Sequence, residues 1–144
     1  MPWFEDFAPC SYFGPDLAPA LRTIGWLERG RSFRTGLASP DVYDKLVELC
    51  KEPWQPCAFL GLHGCDLCHY RPGAYGVNNL FIPGTGYLFV CPELIVHYMN
   101  AHAYSPPSEF CDAVLACPQM KSMDYRKSIL ENGGRPVVKW AKYT

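Results

Sequence analysis

The sequence predicts an α+β fold folded as one small domain. Three observations carry that prediction. The chain has 144 residues, of which 49% are apolar and 15% aromatic. That is enough for one hydrophobic core and too little for two independent ones. After residue 39, helix-patterned segments alternate with short apolar runs broken by Pro and Gly, so strands and helices share the chain. No internal repeat and no low-complexity stretch interrupts the order. The expected organisation is an aromatic-rich N-terminal arm (1–39), a central core (57–104), and C-terminal helices with a tail (105–144).

The arm, MPWFEDFAPCSYFGPDLAPALRTIGWLERGRSFRTGLASP up to its last residues, has little periodicity. Trp3, Phe4, Phe7, Tyr12 and Phe13 are expected to tie it to the core, since large aromatics are mostly buried. A partner surface is the other use of such a cluster. A short strand or turn is expected around Thr23 to Leu27.

Ser39-Pro40-Asp41 opens the first helix. Ser39 suits the N-cap, Pro40 the first helical position, and Val42, Leu46 and Leu49 recur at helical spacing. Pro53 is expected to end it. The stretch WQPCAFLGLHGCDLCHYRPGAYG reads as strand and turn. VNNLFIPGTGYLFVCP reads as a β-hairpin turning at Pro83-Gly84-Thr85-Gly86. The Gly-x-Gly there lacks the third glycine and following helix of a dinucleotide loop, and no P-loop lysine follows.

PELIVHYMNAHAY is expected to be helical, with Pro92 at its start and Glu93 in its first turn. SPPSEFCDAVLACP gives a further helix with Ser105 as cap and Pro118 as stop. SMDYRKSILENGG gives the last, closed by Gly133-Gly134. The tail PVVKWAKY is expected to form a short edge strand. The helix count is therefore three to four.

The chemistry lies in HGCDLCH, residues 63–69. Cys65 and Cys68 form a C-x2-C turn, a hairpin follows, and the next helix carries His97 and His102. Zinc takes four ligands in a tetrahedron from Cys sulfur and His nitrogen, and these spacings supply two of each. The expected ligands of a Zn2+ ion are Cys65, Cys68, His97 and His102, with His63, His69 and Cys91 in reserve. Gly64 is expected to allow the backbone bend of the knuckle. Five residues along an ideal helix turn about 140° beyond the starting direction, so His97 and His102 meet only if the helix end loosens. The nearby Pro106-Pro107 suggests that it does. Packed thiols and satisfied histidines alone predict neither the spacing nor the ordered pairing.

The order knuckle, hairpin, helix is treble-clef-like. The 28 residues between Cys68 and His97 exceed the roughly 12–15 of a DNA-reading finger. A disulfide framework is the weaker reading of the eight cysteines, because the chain is core-rich and shows no export signal. MPWFEDFAPC has acids where a signal peptide needs Lys or Arg, so a cytoplasmic protein is expected. No apolar run is long enough for a membrane helix. A thioredoxin-like pair would need a helix opening at Cys65, where Pro72-Gly73 soon follows instead. The six further cysteines (Cys10, Cys50, Cys57, Cys91, Cys111, Cys117) form no recognisable nucleophile motif, and no Ser elbow occurs.

Four segments together, WFEDFAPCSYFGP, GWLERGRSFRTG, FLGLHGCDLCH and PELIVHYMNAHAYSPPSEFCDAV, resemble a family of small uncharacterised bacterial proteins. The resemblance covers residues 3 to 115. It implies a bacterial cytosolic origin and a single domain, and it carries no activity.

The leading functional expectation is a zinc-stabilised, non-enzymatic module with a structural zinc that binds another protein, in an immunity or regulatory setting. The first alternative is a metal-dependent hydrolase, which needs an open coordination position. No H-E-x-x-H or deaminase pattern is present to support it. The second is a nucleic-acid-binding zinc module. The balance of 13 basic against 14 acidic residues lacks the positive footprint that reading requires.

Overall fold

A computed structural model describes residues 2–56, 62–69 and 73–141. Cys57 and the last residues of the tail lie outside them.

The first strand, β1 (Leu21–Thr23), follows a single 3-10 turn at Ala18–Ala20. Helix α1 spans Pro40–Leu49 with Ser39 at the N-cap position, although the serine side chain makes no capping bond. Val42, Leu46 and Leu49 are buried on one face, as their spacing requires. The helix stops at Leu49, with Cys50 closing the last turn, so it ends before Pro53 is reached.

Two short strands, β2 (His63–Gly64) and β3 (Tyr75–Gly76), pair antiparallel as a ribbon. The expected hairpin follows as β4 (Asn79–Pro83) and β5 (Leu88–Pro92), with Phe81 opposite Val90 and Ile82 opposite Phe89. Every residue of both strands is buried. β5 is the centre of a three-stranded sheet in the order β1-β5-β4, with β1 parallel to it. The strand expected around Thr23 to Leu27 thus lies slightly earlier, at β1. The chain from Ile24 to Trp26 continues against β5 through Ile24 N–H and Trp26 Nε1–H, both donating to the Val90 carbonyl.

Helix α2 (Ile95–Ala101) begins three residues after Pro92, which remains the last residue of β5. Helix α3 (Ser108–Ala116) has Pro107 at its N-cap position. Ser105 is therefore not its cap, and its N–H donates to the Arg34 carbonyl instead. Helix α4 (Met123–Glu131) is capped by Ser122, whose Oγ accepts from Tyr125 N–H at 3.1 Å. Gly133 at φ 79° turns the chain back, and Gly134 N–H donates to the Ile129 carbonyl.

The tail is a helix, α5 (Arg135–Ala141), rather than an edge strand. Pro136 sits in the first turn, where its missing N–H does no harm, and Val137 and Val138 are buried on the inner face. That gives five helices among the described residues, one more than the upper expectation.

The core is one cluster that includes Trp26, Leu46, Phe81, Phe89, Tyr98, Phe110 and Ile129. The arm is more than an accessory to it. Cys10, Phe13 and Leu17 are buried, and Phe13 lies against Phe81 at 5.6 Å between ring centroids. Phe7 is 39% exposed, yet its ring meets the buried Phe89 edge-on at 6.1 Å and its N–H donates to the Thr23 carbonyl.

Candidate metal centre

The knuckle is built on the β2–β3 ribbon. His63 pairs opposite Gly76 and Gly64 opposite Tyr75. Cys65 N–H then donates to the Ala74 carbonyl at 2.8 Å, which extends the ribbon to the first cysteine. Asp66 and Leu67 form the turn that brings Cys68 back beside it. Gly64 serves a different purpose from the one expected. Its φ is not positive, and a Cβ there would stand 3.1 Å from the Tyr75 ring, so it is needed for close cross-strand approach. Gly73 acts similarly against Cys68, at 3.3 Å from its Cβ.

The two histidines come from the end of α2. His97 lies within the helix and His102 is its C-cap residue, with φ −124° and ψ 12°. Ala103 then takes φ 55°, and both His102 N–H and Tyr104 N–H donate to the Tyr98 carbonyl. The helix stays regular up to the His102 N–H bond, and the non-helical φ of −124° at His102 re-aims its side chain away from the ideal helical direction. The rings stand 5.0 Å apart between centroids.

Cys65, Cys68, His97 and His102 therefore meet. One ligand atom from each lies within 4.8 Å of all the others. Cys68 Sγ is 3.2 Å from His97 Nε2 and 3.6 Å from His102 Nε2, and Cys65 Sγ is 3.4 Å from His102 Nε2. A tetrahedral zinc with Zn–S of about 2.3 Å and Zn–N of about 2.0 Å has S···N edges of about 3.5 Å. The four side chains match that size. Hydrogen bonding alone explains the arrangement less well, because His102 Nε2 approaches two sulfurs and can carry only one proton. The group could hold a metal ion.

Electrostatics point the same way. Burial, then the neighbouring His102, lowers the His97 pKa; burial, then His69, lowers that of His102. Both imidazoles are held neutral at pH 7, the form that binds a metal. Burial raises the Cys65 thiol, although the N–H groups of Leu67 and Cys68 favour its thiolate. A dication would reverse that balance.

The reserve candidates are not in this group. His63 Nε2 bonds the Tyr12 hydroxyl at 3.2 Å and joins the arm to the ribbon. His69 is exposed and faces a cleft beside the knuckle. Cys91 is a fully buried thiol on β5, pushed well above its ordinary pKa by burial and by Cys50 and Cys117. Glu93, four residues before His97, accepts from Val77 N–H and Asn78 N–H with its carboxylate, closing the turn from β3 to β4. Sequence reasoning missed Arg29, which reaches the knuckle from 39 residues before Cys68; no local signal marks so distant a contact.

No helix among the described residues is long and apolar enough to cross a membrane. Neither the curated proteins nor the solved structures contain a match to this chain. Residues 2–115, which include the knuckle, the hairpin and both histidines, match the domain of unknown function DUF7919, and the chain belongs to that family.

Proposed function

We propose that the chain is a zinc-stabilised module whose ion is structural and whose role is to bind another protein. The observation that carries this reading is the convergence of two sulfurs and two imidazole nitrogens on one point. Two Cys and two His complete the shell of a tetrahedral zinc and leave no position for a substrate. The acids closest to the site in sequence are engaged elsewhere. Asp66 accepts Arg29 N–H and Glu93 accepts two other backbone N–H groups, so each already holds a turn of the backbone. These two facts favour a structural zinc over a hydrolase. The near-balanced charge supports a protein partner over a nucleic acid. Free thiols at all seven described cysteines suit a reducing compartment such as the cytoplasm.

The test is metal content of the purified chain. The wild type is expected to hold one zinc, and Cys65→Ser and His97→Ala to lose it. Full retention in both variants would refute the ligand assignment. The partner half of the reading is checked by affinity capture from the native host, and absence of any reproducible protein partner would end it.

A further inference from the structure

We propose that Arg29 and Asp66 form a clasp that positions the two knuckle cysteines for the metal. The inference rests on the zinc reading above and assigns it two positioning residues.

Asp66 lies between the two cysteines in sequence. Its Oδ2 accepts the Arg29 backbone N–H at 2.7 Å. The Arg29 guanidinium reaches the other end of the same turn and donates to the Cys68 carbonyl at 2.9 Å. Arg29 donates both bonds, one from its backbone and one from its side chain, and they tie the C-x2-C turn at Asp66 and at Cys68.

The β2–β3 ribbon and the Cys65 N–H bond to Ala74 fix the start of the knuckle, and the brace holds its second half, Asp66 to Cys68. Among its described residues from 62 to 69 none is buried. The clasp also borrows rigidity from the core, since Trp26 and Leu27, just before Arg29, are buried. Both clasp residues, with Cys65, Cys68 and His69, line a cleft of about 500 Å³. The half-buried sulfurs border this cleft beside the brace.

When the clasp opens, the sulfurs spend less time in the arrangement that meets the histidines. Apparent affinity falls in proportion to the competent fraction. Removing such partners of a metal site weakens binding by about 10- to 100-fold. Arg29 is exposed, so its replacement leaves the core intact.

The experiment titrates Co2+ into the full-length apo chain, in competition with a chromophoric chelator. It compares wild type, Arg29→Ala, Arg29→Lys and Asp66→Ala. Arg29→Ala and Asp66→Ala are expected to bind about tenfold more weakly and to release metal faster. Their tetrahedral Co2+–thiolate spectrum should be that of wild type, because all four ligands remain. Arg29→Lys should recover part of the loss, since an ammonium can still donate to one carbonyl. Wild-type affinity in both alanine variants would overturn the clasp and leave the zinc reading standing. A wild type with no Co2+–thiolate spectrum would instead overturn the zinc reading itself.

Discussion

Two antiparallel hairpins lie a few residues apart in this chain and are held by opposite means. In β4–β5 all ten strand residues are buried, and Phe81, Ile82, Phe89 and Val90 pack into the main core. In β2–β3, His63, Gly64 and Tyr75 are partly or wholly exposed and only Gly76 is buried. A two-stranded ribbon without an apolar face is marginal in water. The first hairpin is stabilised by area removed from water, the second by polar anchors and the proposed ion. The difference teaches that one chain can place a site on a scaffold without making the site part of the scaffold's core.

Metal removal should break the comparison most sharply. Binding a structural zinc contributes on the order of 10 kcal/mol in small zinc peptides. The buried core cluster contains none of the four ligands, so the loss should be local. With a chelator present, hydrogen exchange is expected to collapse at Cys65 and at the end of α2, including His102 N–H. The amides of β4 and β5 should stay protected. Equal loss of protection in both hairpins would show that the ion supports the whole fold.

The reverse experiment removes core from the other hairpin. Phe89 is fully buried, with Phe110 at 5.5 Å and Tyr87 at 5.2 Å between ring centroids. Phe89→Ala should lower unfolding stability by about 3–5 kcal/mol in urea titration. As long as the variant stays folded, its metal stoichiometry should match wild type, since no ligand touches Phe89. Loss of metal from folded Phe89→Ala would mean that the two hairpins are energetically one unit.

The same contrast separates what sequence reasoning found from what it missed. The local signals held: Ser39-Pro40 opening α1, Pro-Gly-Thr-Gly turning β4 into β5, and Gly133-Gly134 closing α4. The four residues read as zinc ligands come together because a tight turn and a helix end each fix two of them. What was not legible is non-local or depends on packing. Nothing near Leu21 announces a parallel partner at Leu88. PVVKWAKY alternates well enough for a strand, but buried Val137 and Val138 on a Pro-initiated turn make it helical. The need for Gly64 is legible from its place before the knuckle, but its reason is not, because that reason is a tyrosine ring on the opposite strand.

Acid provides the finest test, since it acts on one hairpin's anchors and passes over the other. His97 and His102 have pKa values lowered from their ordinary value. A group with a depressed folded-state pKa contributes stability above its unfolded pKa, and that contribution is lost as pH falls through the folded value. The window therefore opens below about 6.5, the unperturbed histidine value. Within it each imidazole proton must be displaced before metal can bind, a loss of up to about 1.4 kcal/mol per pH unit for each histidine. Cys65, whose thiol is raised, already surrenders its proton to the metal above this window and adds no break there. A plot of log affinity against pH should thus steepen below about pH 6.5, by up to two protons. In β4–β5 the titratable group is Cys91, which burial keeps protonated throughout the same range, so protection of that hairpin should not follow the curve. A slope unchanged through the histidine window would remove His97 and His102 from the coordination shell while leaving the buried hairpin as described.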